Sequence, residues 1–257
     1  MSRLRSWLDA SPLSEIALAL VRDATGRQDP LEPLRPARAV ALPGRLRVAF
    51  WSLRAGVGST TTAALVAHRS AGAGRAPALL DLDRWTPCLA LRAQMEAATI
   101  ADALLRPGRE RDSLSRWNDV PFLPGAPGLH AIFETERVVA LIERVAPESP
   151  VVVDLGSGAD ALDAGLLATL DRICVVTGQR SSQLQSSFCA VELLRDAPCR
   201  VGLVTTHAAD EDASRIASRL PWPLLAAIPF DPYLADDAFA ARAPTMAAID
   251  RLIRALA

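Results

Sequence analysis

At 257 residues and a formal net charge of −1, the chain has room for one α/β domain or two small ones, and its bulk charge offers no attraction to nucleic acid or an anionic lipid surface. Half of the residues are apolar, enough for a sizeable core, yet no apolar run reaches the roughly 18 residues that mark a membrane span. The N-terminus, Met1 to Trp7, lacks an apolar run leading to a small-residue cleavage site, so a cytoplasmic globular protein is expected.

All 28 basic residues are arginine. The chain contains no lysine, a bias that a GC-rich genome would produce. Cys88, Cys174, Cys189 and Cys199 form no Cys-x-x-Cys pair, which argues against zinc or redox chemistry. His68, His130 and His207 stand far apart and form no ligand pattern; structural or surface roles are expected for them.

Residues 1–44 read as an appendage. Ser11-Pro12 is a helix start, with Ser as N-cap and Pro at N1, and Leu13, Ile16, Ala17, Leu20 and Val21 follow at helical spacing. Residues 28–44 carry four prolines and no periodicity, which predicts a linker. The helix is expected to pack on the domain surface or to dock on a partner or membrane surface.

Residues 45–257 read as the main domain. A strand is predicted at 46–52, followed by a tight loop with Gly56 and Gly58, then a helix from 59 to about 71. Strand, Gly loop and helix is the geometry in which backbone N–H groups and a helix N-terminus hold phosphate. The strict pattern G-x-x-x-x-G-K-[ST] fails twice: Leu53 stands for the first Gly and Ser59 for the Lys.

The stretch from Leu53 to Thr61 nevertheless resembles the deviant phosphate loop, G-K-G-G-V-G-K-T-T, of the MinD/ParA family of P-loop ATPases. Gly56, Val57, Gly58, Thr60 and Thr61 match. Arg54 takes the place of the signature lysine, which in that family reaches the partner subunit's nucleotide, Ala55 replaces a Gly, and Ser59 replaces the loop lysine. The resemblance covers roughly residues 45 to 257. It implies a mostly parallel, doubly wound α/β sheet with helices on both faces, and ATP and Mg²⁺ as cofactors.

Further stretches carry the resemblance along the chain. A second strand at 76–82 ends in Asp81-Leu82-Asp83, and the position of Asp83 implies water positioning; capping of the next turn is its bland alternative. Residues 86–118 read as helical, broken at Pro107-Gly108, and 119–125 resembles the family's short strand with a Leu-Pro ending. A helix is expected at 134–146. Val151-Val152-Val153-Asp154 predicts a buried parallel strand delivering a carboxylate to its C-terminal edge, where such sheets bind ligands. Asp154 and Gly158 match the family's Walker B stretch, which implies that Asp154 and Thr60 hold Mg²⁺ and that Gly158 senses the γ-phosphate.

Strands are expected at 171–177 and 200–206, with a helix near 180–195. Thr206-His207 stands where the family carries an adenine-reading Asn, so His207 is the candidate for stacking or donating to the base. The stretch from Ile228 to Asp231 resembles the family's Ile-Pro-x-Asp loop beside the base, bringing in Pro229 and Asp231. Helices at about 233–241 and 245–256 complete the chain, which shows no basic amphipathic tail.

The resemblance implies an ATP-binding switch that positions a protein partner, with a homodimer through the nucleotide face. It leans toward the CpaE/TadZ-like pilus-assembly branch. With Ser59 in place of the lysine, weak or absent hydrolysis is expected. Two other readings stay open: a pseudo-ATPase scaffold that binds no nucleotide, and a ParA-like partition protein, although no basic stripe with interleaved aromatics is visible.

Overall fold

The computed structural model describes residues 31–32, 40–234 and 241–257. The helix expected after Ser11-Pro12 lies outside the described residues. Within the stretch expected to be a linker, Leu31–Glu32 (β1) pairs antiparallel with Ala241–Arg242 (β10). Leu42 is buried in the core with Val40 packed against the same cluster, so part of the stretch expected to be a linker belongs to the domain.

An eight-stranded sheet organises the domain. Its strands are Arg47–Ser52 (β2), Ala78–Asp81 (β3), Ser115–Trp117 (β4), Val120–Leu123 (β5), Val151–Ser157 (β6), Arg172–Thr177 (β7), Arg200–Thr206 (β8) and Leu224–Ile228 (β9). Their order is β4-β5-β3-β6-β2-β7-β8-β9, and only the β4–β5 pairing is antiparallel. Val151 to Asp154 pairs in parallel with Arg47 to Phe50 on one side and Ala78 to Asp81 on the other. The expected doubly wound architecture is therefore present.

The central strands are buried on both faces, which is why they read as continuous apolar runs rather than alternating ones. Alternate residues feed two separate cores. Val48, Phe50, Leu79, Val152, Cys174 and Val204 meet the helices Ser59–Ser70 (α1) and Ala243–Leu256, the C-terminal helix, on one face. Ala49, Trp51, Leu80, Val151, Val153 and Val175 meet the opposite layer, which includes Val138, Leu141 and Ile142 of the helix Thr135–Val145. No helix among the described residues is long and apolar enough to cross a membrane.

The region 86–118 departs from the helical expectation. It holds two five-residue helices, Leu89–Ala93 (α2) and Ile100–Leu104 (α3), a 3-10 turn at Glu110–Ser113, and β4. Gln94 ends α2 in the left-handed conformation, at φ 50°. Thr99 restarts the chain with a reciprocal capping box to Asp102. Ser115–Trp117 becomes a strand because Asn118, at φ 54°, turns the chain back so that Trp117 pairs with Val120. Of the helix expected at 233–241, Pro232–Leu234 forms a 3-10 turn, residue 241 lies in β10, and 235–240 are outside the described residues.

One buried ion pair joins α1 to the C-terminal helix. Arg69 is 4% exposed, and its Nε and Nη2 donate to the two carboxylate oxygens of Asp250 at 2.8 Å each. Asp250→Ala removes two charge-assisted hydrogen bonds to a buried guanidinium and should destabilise the domain by about 1.5–3 kcal/mol. Urea unfolding of that variant checks this; a loss below about 0.5 kcal/mol, the scale of ordinary surface changes, would show that the pair does not fasten the helix.

Candidate functional site

At the carboxyl edge of β2 the chain turns sharply through residues 53–58 into α1. Gly56 sits at φ 80° and Gly58 at φ 90°, conformations that side chains with a Cβ rarely adopt. Gly58 occupies the N-cap position of α1 without a side-chain cap, and the first turn contains no acidic residue. The leading N–H groups of this twelve-residue helix are therefore left facing a cleft rather than satisfied by a cap. The loop is pinned from behind: the Thr206 hydroxyl donates to the Val57 carbonyl oxygen at 2.7 Å.

The cleft encloses about 210 Å³. Ala55, Gly56, Gly58, Ser59, Thr60 and Thr61 line it from the loop and α1, Asp83, Thr86, Cys88 and Arg92 from the segment after β3, and Gly156 and Ser157 from the end of β6. Seven of the expected site residues thus converge on one space. Val57 is buried beneath the loop, and Arg54 is exposed outside the cleft lining.

Ser59 lines the cleft but brings no charge to it. Its buried hydroxyl donates to the Gly156 carbonyl oxygen at 3.4 Å and lies 3.4 Å from the Ser52 hydroxyl. Its chemistry is turned toward the protein.

Three carboxylates gather at this edge. Asp81 and Asp154 are directly paired on neighbouring strands, and both are fully buried. Asp154 accepts the Gly156 N–H at 3.0 Å through Oδ1, while Oδ2 has no hydrogen-bond partner in the protein. Burial pushes the Asp154 carboxyl up to about 6; the Thr60 hydroxyl and the Gly156 N–H pull the other way. Asp81 is raised well above the usual carboxylate range by burial first and by the charge of Asp154 second. It accepts the N–H groups of Asp83 and Leu89, so both its oxygens have partners.

Asp83 lines the cleft and also holds the turn that follows it. Its Oδ1 accepts the N–H groups of Trp85 and Thr86 at 2.9 Å each, and its Oδ2 accepts the Thr86 hydroxyl at 3.1 Å. A Cβ on Gly156, itself at φ 65°, would sit 2.2 Å from Asp83 Oδ2, so the two residues define each other's positions. Gly158 lies outside the cleft lining: its N–H donates to the Ser52 carbonyl oxygen, and its own carbonyl oxygen accepts the Trp51 indole N–H.

The base-region candidates stand at the ends of β8 and β9. His207, at φ 57°, meets exposed Phe230 edge-to-face with ring centroids 5.5 Å apart. Asp231 is buried and committed to the fold, accepting the N–H groups of Tyr233 and Arg242 and the Thr245 hydroxyl. Pro229, two residues earlier, directly follows β9.

Two contributors escaped the sequence reading. Thr206, which the resemblance placed only in the base region, is the clamp on the loop. Arg92 is the only basic residue lining the cleft among the described residues, and its Nη1 donates to the Thr61 hydroxyl at 2.8 Å. It arrives from α2, and nothing in its sequence spacing from the loop announces it.

No protein-family model matches the sequence, and no curated protein does. Solved structures do match in three dimensions. The septum site-determining protein MinD complexed with Mg-ADP from Pyrococcus horikoshii OT3 superposes with a TM-score of 0.70 at 18% identity, covering 81% of this chain and 94% of that one. The fold is that of the MinD/ParA P-loop ATPases. A ParA family ATPase from Chlorobium tepidum TLS gives 0.65 at 19% identity, over 82% of this chain and 97% of that one. A plasmid partition protein from Borrelia burgdorferi B31 bound to AMPPNP gives 0.67 at 13%, over 82% and 98%.

The residues present fit what such a fold holds. An orphaned, fully buried carboxylate oxygen is a ready ligand position for a hard cation, with the Thr60 hydroxyl close enough to act on the same carboxylate. The uncapped helix start suits an anionic group.

A raised carboxyl in the fold also means that ionisation costs stability. Below an unfolded-state value near 3.8 both states are protonated and no penalty exists; it grows as pH rises and is complete above about 6. Asp154→Asn removes it. Without magnesium, the variant should be more stable than wild type by up to about 3 kcal/mol at pH 8, the gain vanishing near pH 4. Chemical unfolding at the two pH values checks this; a variant no more stable at pH 8 would contradict the burial argument.

Proposed function

We propose that this chain is a magnesium-dependent ATP-binding switch that positions a protein partner, with little or no turnover of its own. The observation that carries the reading is the convergence of the uncapped start of α1 with the buried, half-satisfied Asp154 carboxylate at one edge of the sheet. Thr60 and Asp154 would hold the magnesium ion, which supplies charge neutralisation at the phosphates when bound. The amides of residues 55–61 would cradle the phosphates, and His207 with Phe230 would flank the base. Gly158 would transmit the state of the γ-phosphate through its tie to Ser52.

Low turnover follows from Ser59. Phosphoryl transfer depends on neutralising charge that develops between the β- and γ-phosphates. A hydroxyl turned toward Gly156 cannot do that, and losing one such donor costs roughly 10²–10³ in rate. Asp83 remains the candidate for orienting water, although its oxygens already hold the 85–86 turn.

Dimerisation through the nucleotide face is supported by exposure around it. Arg54 lies exposed outside its own cleft, and Trp85 and Leu91 are 58% and 76% exposed beside residues that line it. Pilus assembly, inferred from the sequence resemblance, is the cellular setting of this reading. The inward-turned Ser59 favours one rival, a scaffold that keeps the fold and binds no nucleotide.

Calorimetric titration of the full chain with ATP separates the two. The switch reading predicts binding that requires magnesium and is lost by at least about tenfold in Asp154→Ala, equivalent to about 1.4 kcal/mol. Binding indifferent to both magnesium and Asp154 would reject the site; no binding at all would leave the scaffold.

A further inference from the structure

The loop lacks its lysine, and the chain has no lysine to lend. The cleft nevertheless contains a cation. Arg92 enters from α2 and holds the Thr61 hydroxyl at 2.8 Å, on the first turn of the helix whose start faces the ligand space. It lines the same cleft as Gly58, Ser59, Thr60 and Asp83. Its charge is felt at the Asp154 carboxylate, where it favours the ionised form. Asp83 and the Cys88 thiol, whose titration burial pushes up to about 11, line the same cleft, and Asp154 is buried at its edge. Arg92 is thus the one guanidinium among the described residues that line this space, beside the carboxylate of Asp83.

We propose that Arg92 is the phosphate-binding cation of this site, replacing from a separate helix the charge that Ser59 does not provide. This rests on the nucleotide-binding reading and specifies which group recognises the outer phosphates. A guanidinium presents several N–H donors in a planar fork and suits phosphate oxygens bidentately. The Thr61 hydroxyl it holds is neutral, so exchanging or sharing that contact with a phosphate oxygen replaces a neutral contact with a charged one. Charge delivered from α2 would also tie the ligand to the segment after β3, which carries exposed Trp85 and Leu91. The site therefore selects the triphosphate over the monophosphate through Arg92.

The test titrates the full chain with Mg-ATP, Mg-ADP and AMP by calorimetry. The variants are Arg92→Ala, Arg92→Gln, Ser59→Lys and the Arg92→Ala/Ser59→Lys pair. Arg92→Ala should weaken ATP about 10- to 100-fold, the scale of one charged hydrogen-bonding group, and leave AMP nearly unchanged. The ATP-to-AMP preference should return in the double variant, because the lysine introduced by Ser59→Lys restores charge from the loop. A purely structural Arg92 would lower all three affinities together and would not be rescued. Should Arg92→Ala fail to fold, Arg92→Gln keeps a donor for Thr61 without the charge and must show the same selective loss. Wild type that binds ATP with a preference unaltered in these variants overturns this inference alone. Wild type that binds none of the three ligands overturns the nucleotide reading and this inference with it.

Discussion

A carboxylate sealed inside a parallel sheet is the constraint on which this structure turns. Asp154 follows three consecutive valines in a strand whose two faces are both covered. Its Oδ1 is held by the Gly156 amide and its Oδ2 by nothing in the protein. The nearby charge of Asp83 adds to the burial that raises Asp154, and the charge of Asp154 in turn raises the directly paired Asp81. Such an arrangement costs the fold stability, a cost that the proposed cation would offset. The order of the strands follows the same logic. With β6 between β2 and β3, the edge that carries Asp154 also carries the glycine loop and Asp83.

Around that point the side chains divide between those that build the edge and those that line the cleft. Asp81, Asp231 and Thr206 are spent on the fold: they hold the residues after β3, the start of the C-terminal helix and the loop. Asp83 does both jobs, capping a turn while lining the cleft. Thr60, the start of α1 and Arg92 line the cleft, with Arg92 holding the Thr61 hydroxyl. The departure at Ser59 removes a charge from the loop, and the architecture retains one on the neighbouring helix.

Much of this was legible in the sequence because buried parallel strands announce themselves. The runs ending at Asp81 and Asp154 and the strands at 172–177 and 200–206 are continuous apolar stretches, and their placement follows from that. Gly56, Val57, Gly58, Thr60 and Thr61 located the loop despite its altered positions. Other features depend on tertiary contact and leave no linear trace. Arg92 reaches Thr61 across 31 positions of sequence, and Thr206 reaches Val57 across 149. The strand at 115–117 is three residues long and exists through its hairpin, so a helical reading of that stretch had no opposing local signal. The stretch before residue 45 misleads for a related reason: Leu42 looks like linker by its proline neighbours but is buried among helix and sheet residues.

The central claim is that the glycine loop, Asp154 and Arg92 form one phosphate and magnesium site. Crystallisation of the wild-type chain with magnesium and a non-hydrolysable ATP analogue tests it most directly. The account predicts phosphates on the amides of residues 55–61, magnesium between Thr60 and the free oxygen of Asp154, and the Arg92 guanidinium on an outer phosphate. An analogue bound elsewhere, or one whose phosphates sit on the loop while Asp154 Oδ2 gains no ligand, would contradict it.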